Sequence, residues 1–305
     1  MDYNETGIKG GDGMLKREEL NRPLWILLGS LLLLLLVGSV WDRPLGEILL
    51  GDEKNVFVRV LAAFGELPAF LLFIAAGVAW FVRRGRSNRW LEWFSIFGSF
   101  CFIAGGAVLT FLSLLEDMPG FSYLDCAVLS LVLLMLGLAF GYFLTRNVSR
   151  SDCFRLILTV LFAGAIAMLA VNLLKFPWSR PRLRLLVENE AVQFSPWWEP
   201  QGIGESIRSD EYRSFPSGHT AMAACSLLWT LFPALNRRFE GRGRVLLLAS
   251  CMWTGLVALS RLTLGAHFLS DVAVSWLFML FMYRFSVFLF WRDSRLFLAL
   301  YKIMT

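Results

Sequence analysis

Charge and histidine are both scarce in this chain of 305 residues. Charged residues make up 17% against 57% hydrophobic, whereas a soluble domain has about 25% and about 45–50%. That balance excludes an ordinary soluble globule, because the surplus apolar surface needs lipid to cover it. The five cysteines, Cys101, Cys126, Cys153, Cys225 and Cys251, form no CxxC pair. A thiolate metal site or a dithiol redox centre is therefore not indicated, and they read as small core hydrophobes. No internal repeat is visible. The first apolar run starts near Leu24, is too long for a signal core, and is not followed by a small-residue cleavage site. The net charge of +5 is not gathered into one basic tract, so nucleic acid is not implied as a partner.

What the sequence has instead is a series of apolar runs, near 24–41, 57–82, 91–115, 122–144, 154–174, 218–235, 245–260 and 268–291. The second contains Gly65-Glu66-Leu67-Pro68 and reads as an interfacial segment leading into a short span. These runs predict an all-α polytopic bundle of about eight transmembrane helices, as one membrane domain over 1–305. Bases cluster in alternate connections: Arg83, Arg84, Arg86 and Arg89; Arg146, Arg150 and Arg155; Arg237, Arg238, Arg242 and Arg244; then Arg292, Arg295 and Lys302. The intervening connections, 42–55 and 116–120, are acidic or base-free. The positive-inside rule then puts both termini in the cytoplasm, with residues 1–23 as a cytoplasmic tail.

The connection 175–217 departs from that rule. It falls on the outer side yet carries Lys175, Arg180, Arg182, Arg184, Arg208 and Arg213, which suggests that it binds an anion. Its Trp178, Phe194, Pro196, Trp197, Trp198 and Pro200 suit either a lid at headgroup level or packing within the loop. Glu66 and Asp125, near outer span ends, can line a substrate entrance or be ordinary interfacial acids.

Both histidines of the chain lie at outer span ends, His219 in Pro216-Ser217-Gly218-His219 and His267 in Ser260-Arg261-Leu262-Thr263-Leu264-Gly265-Ala266-His267. Asp271 follows His267 at a spacing that shares a helix face, so its carboxylate can orient the imidazole as a nucleophile. Ser217 can cap a helix whose free N–H groups attract an anion, with His219 beside it as proton donor. Lys175, Arg182 and Arg261 can stabilise a transferring phosphoryl group. Taken one at a time, each of these features also suits a satisfied interfacial pair, a plain cap or a snorkelling base.

In order, K-x6-R, then P-S-G-H, then S-R-x5-H-x3-D resembles the three-part signature of the type 2 phosphatidic acid phosphatase (PAP2) and vanadium haloperoxidase superfamily, in its membrane lipid phosphatase branch. The resemblance spans 175–271. In the first part the family's Pro after Arg is replaced by Leu183, while Pro181 follows Arg180; spacing favours Arg182, with Arg180 as its neighbour. The resemblance implies a PAP2-type core and a metal-free, cofactor-free reaction. In it His267 would attack phosphorus, Asp271 would orient it, and His219 would protonate the leaving alcohol and then activate water. Lys175, Arg182, Ser217, Gly218 and Arg261 would hold the phosphate. Bacterial members of this kind have six spans, so two are added before Lys175.

The expected partner is a phosphorylated lipid: phosphatidate, phosphatidylglycerol phosphate, an isoprenoid diphosphate or a lipid A-like phosphate. The expected location is a cell (inner) membrane, with the active site on the outer, periplasmic side. The number of loop bases tilts the choice toward a lipid monophosphate or diphosphate. A transferase using the same histidine, and a non-catalytic lipid-binding membrane protein, stay open as alternatives.

Overall fold

The computed structural model describes residues 12–52, 54–84, 89–291 and 295–304. Residues 1–11 of the expected tail, with Arg86 and Arg292 of the basic connections, lie outside them. Among the described residues the protein is all-helical. In chain order the helices are α1 (Asp12–Leu49), α2 (Val56–Phe64), α3 (Leu67–Val82), α4 (Arg89–Asp117), α5 (Tyr123–Thr145) and α6 (Arg150–Val160). Helix α6 runs through a π turn (Leu161–Ile166) into α7 (Ala167–Trp178). The short α8 (Leu183–Glu188) and α9 (Gly204–Arg208) follow, then α10 (Gly218–Ala224), α11 (Phe232–Leu235), α12 (Gly243–Thr263), α13 (Leu269–Phe290) and α14 (Arg295–Met304).

Among the described residues, seven helical stretches are long and apolar enough to cross a membrane, so the chain is a multi-pass membrane protein. The eighth expected span, 218–235, is built differently: α10, a 3₁₀ segment (Cys225–Leu231) and α11 run on without a break. With about 1.5 Å per α residue and about 2.0 Å per 3₁₀ residue, the stretch reaches about 30 Å, the thickness of a hydrocarbon core. It is buried along almost its whole length, so its surroundings are mainly protein.

Helix α3 is apolar all round and central, as such a helix must be. Ala69, Ala75, Ala76 and Ala79 are fully buried, and α3 packs on both α4 and α5. Small residues let these backbones approach: a Cβ on Gly141 would lie 3.0 Å from Ala75 Cα, and one on Gly106 3.0 Å from the Phe70 carbonyl. Outer faces carry exposed Leu, Phe and Trp such as Leu33, Phe97 and Leu136, which suits contact with lipid.

The interruption at Gly65-Glu66 separates α2 from α3 as the sequence predicts. A break at membrane depth leaves backbone carbonyls that need donors. The Trp253 indole donates to the Gly65 carbonyl (2.8 Å) and the Trp229 indole to the Pro68 carbonyl (3.2 Å). Helix α1 starts at Asp12, earlier than the expected span, and kinks at Trp41. Pro44 accounts for the kink, because its ring clashes with the carbonyl four residues back.

The aromatic loop packs on itself. Trp178 and Trp197 both stack on Phe215 (5.0 and 6.2 Å), and the Trp197 indole donates to Ser39 Oγ of α1 (2.9 Å). Trp198 is the tryptophan of this loop left exposed. Asp125 is taken up in a capping box with Ser122.

Helix α12 ends in a Schellman motif. Gly265 adopts φ +60°, its N–H donates to the Leu262 carbonyl (3.0 Å), and the Ala266 N–H donates to the Arg261 carbonyl (3.1 Å). This turn fixes the path from Arg261, in the last helical turn, to His267. A side chain at 265 would be strained and would meet Leu50 Cδ1 at 2.8 Å. Gly265→Ala should therefore lower the melting temperature in detergent by the equivalent of about 1–2 kcal/mol; an unchanged melt would show that the turn adapts.

Candidate active site

The groups of interest converge at one end of the bundle. The chain arrives there at the ends of α4, α7 and α12 and leaves at the starts of α3, α10 and α13. His267 precedes α13 and is not on the helix, since Phe268 is the N-cap and Asp271 the third helical residue. The shared-face argument for His267 and Asp271 therefore gives way to one based on capping. Asp271 Oδ2 accepts the Phe268 N–H (2.8 Å) and the Ser214 hydroxyl (2.6 Å), and it lies 3.8 Å from His267 Nδ1. The nearest acceptor for Nδ1 is the Ser214 carbonyl at 2.5 Å. A carbonyl only accepts, so Nδ1 carries the hydrogen and Nε2 keeps its lone pair.

Behind Asp271 lies a chain of buried charge. Arg180 is fully buried. Its Nη1 donates to Asp271 Oδ1 and to Ser270 Oγ (2.9 Å), Nη2 to Asp42 Oδ2 (2.9 Å), and Nε to the Ser195 carbonyl (2.8 Å). The Phe268 ring lies 4.4 Å beneath it. Asp42 also accepts the Ser270 N–H (2.8 Å) and hydroxyl. Arg180 thus links α1, the outer loop and α13, and its donors are engaged within the protein.

His219 lies in the first turn of α10, which Ser217 caps as predicted through the Thr220 N–H (3.4 Å). Its Nε2 is 2.8 Å from Asp117 Oδ2 and its Nδ1 is 3.8 Å from Glu66 Oε1. Asp117 Oδ1 also accepts from Arg261 Nη1 (3.0 Å), so one carboxylate bridges the His219 and Arg261 side chains. The Ser217 N–H donates to the Asp271 carbonyl (3.4 Å), which ties α10 to α13.

Three cations remain for a ligand. Lys175 has no hydrogen-bond or ion-pair partner among the described residues, and its Nζ would lie 3.3 Å from a Cβ on Gly218. Arg182 pairs with Asp210 and Arg261 with Asp117, yet the Nε of each is buried without an acceptor. Lys175 and Arg182 repel, as do Arg182 and Arg261, and both arginines act on His267. Mutual repulsion among desolvated cations favours an anion between them.

The other loop bases are matched locally. Arg184 grips Glu211, holding that carboxyl below its ordinary range through hydrogen bonds. Arg208 pairs with Glu205 (3.0 Å) and Arg213 with Asp210 (3.7 Å). Six loop bases therefore overstate the charge available to a ligand, and the tilt toward a particular phosphate loses its basis.

Sequence reasoning did not single out Asp42, Ser214, Asp117, Asp210 or Glu211. Asp117 falls in the short base-free connection 116–120, where an acid is unremarkable, so nothing local marked it. Nothing local distinguishes Ser214, whose contribution is a carbonyl.

A membrane-embedded helical bundle with two imidazoles and three incompletely matched cations at one end defines the class of protein. A family model described as the PAP2 superfamily matches residues 156–295, the stretch that holds both imidazoles and all three cations. The match covers just under half of the chain and is consistent with a PAP2 superfamily membrane protein; members of that superfamily are generally phosphatases acting on phosphoric esters. No curated protein and no solved structure matches it.

Burial pushes the His267 imidazole down to about 3, with Asp271 pulling the other way and the arginines adding to the fall. The unfolded imidazole takes its proton near 6.5, so acidification between these values favours the unfolded state. Wild type should lose thermal stability as pH falls from about 6.5 toward about 4, and His267→Gln should lose less over the same range. Parallel curves would contradict the depressed value. Removing one partner of a buried pair is severe, so Asp42→Ala should destabilise by about 3 kcal/mol or more and Asp42→Asn by less, both read by melting in detergent.

Proposed function

We propose that this protein is a metal-independent phosphatase that hydrolyses a phosphomonoester or diphosphate of a membrane lipid through a phosphohistidine at the outer membrane face. The single observation that carries the reading is the free Nε2 of His267, fixed by the Ser214 carbonyl, beside Arg182 and Arg261 with their unmatched Nε groups.

The chemistry follows from these groups. Nε2 of His267 attacks phosphorus as the bond to the leaving oxygen breaks. Lys175, Arg182 and Arg261 offset charge on the equatorial oxygens, aided by the Gly218 and His219 N–H groups at the start of the helix that Ser217 caps. Asp271, held by Arg180, orients His267 together with Ser214 and offsets the positive charge that develops on the ring. His219 gives the proton from Nδ1 to the leaving oxygen, since Nε2 faces Asp117. Water then gives a proton back to His219 and attacks the phosphohistidine. Phosphate leaves, and the electron pair returns to Nε2.

Two features support an outer, lipid-facing site. The opposite end of the bundle carries the basic connections, where Arg83 Nη2 reaches the Arg146 carbonyl (2.5 Å) and Arg238 lies over Phe143 (4.2 Å); the positive-inside rule assigns such an end to the cytoplasm. Seven apolar helices with the composite stretch 218–235 give an even number of crossings, so both termini fall on that side. A site at the end of a lipid-solvated bundle suits a headgroup phosphate whose chains stay in the bilayer. Phosphatidate, phosphatidylglycerol phosphate, isoprenoid diphosphates and lipid A-like phosphates all fit this description.

Purified protein in detergent should release inorganic phosphate from at least one such lipid with chelator present, and vanadate should inhibit it. His267→Ala should lower turnover by roughly a thousandfold or more. Turnover retained by that variant would overturn the mechanism.

A further inference from the structure

Both ring nitrogens of His219 face carboxyl groups, but at unequal distances. Nε2 is in direct contact with Asp117 at 2.8 Å, while Nδ1 is 3.8 Å from Glu66 Oε1. The longer separation is beyond a hydrogen bond, and an oxygen set about 2 Å to one side of the line between the two atoms would lie about 2.8 Å from each, within bonding distance of both. The Glu66 carboxyl is 15% exposed and has no hydrogen-bond donor among the described residues. Buried polar groups rarely go without a partner. Its position is also built: it sits at the α2–α3 break, where Trp253 and Trp229 hold the flanking carbonyls, and a Cβ on Gly65 would lie 2.8 Å from the Leu61 carbonyl.

We propose that Glu66 is a positioning residue for the hydrolytic water, which it holds between its carboxyl oxygen and Nδ1 of His219. This rests on the phosphatase reading above and deepens its second step. After His219 has given its proton to the leaving oxygen, Nδ1 is an acceptor. A water in the gap donates one hydrogen to Nδ1 and the other to Glu66, whose carboxyl keeps an acceptor oxygen whether or not it is ionised. The remaining lone pair attacks phosphorus, the P–Nε2 bond of phospho-His267 breaks, and its electron pair returns to the imidazole. One water hydrogen ends on His219, and the other stays on the new phosphate oxygen. A simple alcohol has a single hydroxyl hydrogen and cannot satisfy both acceptors. Glu66 therefore biases the phosphoenzyme toward water and away from transfer to an alcohol.

Glu66→Met removes the acceptor while keeping length and apolar packing; Glu66→Gln keeps an acceptor oxygen. The assay follows phosphate and methyl phosphate formed from one lipid substrate with methanol present, alongside the steady-state level of phosphoenzyme. For Glu66→Met the expected result is kcat lowered about tenfold with kcat/KM within about twofold of wild type, since kcat/KM reports only the first transfer. Phosphoenzyme should accumulate, and the ratio of methyl phosphate to phosphate should rise several-fold. Glu66→Gln should restore most of the wild-type ratio. An unchanged ratio in Glu66→Met, or equal losses in kcat and kcat/KM, overturns the assignment. If wild type itself releases no phosphate from any lipid offered, the phosphatase reading fails first and takes this one with it.

Discussion

The guanidinium of Arg180 is the contact on which the rest of the site depends. A fully buried cation in a lipid-solvated bundle is tolerable only when it is matched, and this one is matched from three directions: Asp42 on α1, Ser270 and Asp271 on α13, and the Ser195 carbonyl of the outer loop. The order of dependence then runs outward. Arg180 fixes Asp271, Asp271 holds the Ser214 hydroxyl, and the Ser214 carbonyl takes the hydrogen of His267 Nδ1. Nε2 is left free by construction. The orientation of the imidazole is thus set by a chain of contacts that begins on the first helix.

The helices ahead of the family-matched segment contribute directly to the site. Helix α1 supplies Asp42, the break before α3 supplies Glu66, and the end of α4 supplies Asp117, which joins His219 to Arg261. A carboxylate facing a cation on one side and an imidazole on the other holds two elements in register at little net charge. The result is a pocket in which Asp42, Asp117 and Asp271 are engaged with partners, and whose three cations keep unmatched capacity. That imbalance is the physical reason for reading the pocket as an anion site.

Much of this was readable in the sequence. Apolar runs, alternating basic connections and the P-S-G-H and S-R-x5-H-x3-D strings anticipated the helical bundle and brought His219, His267, Arg261 and Lys175 to one end of it. The Gly65-Glu66-Leu67-Pro68 interruption was likewise visible. Other features were hidden for definite reasons. The 3₁₀ stretch Cys225–Leu231 leaves no mark in an apolar run, because tertiary packing selects it. Arg180 and Arg182 look alike in the sequence, and only long-range partners, Asp42 and Asp271 for one and Asp210 for the other, separate their roles. The i, i+4 spacing of His267 and Asp271 suggested a shared helix face, whereas the turn at Gly265 sets His267 outside the helix.

The most direct test of the account is to determine which nitrogen becomes phosphorylated. Rapid quench of the working enzyme under alkaline conditions, followed by peptide mapping and phosphorus NMR, distinguishes the two isomers of phosphohistidine. Phosphate on Nε2 of His267 is the predicted result, because Nδ1 is committed to the Ser214 carbonyl. Phosphate on Nδ1, on His219 or on no histidine at all would contradict it.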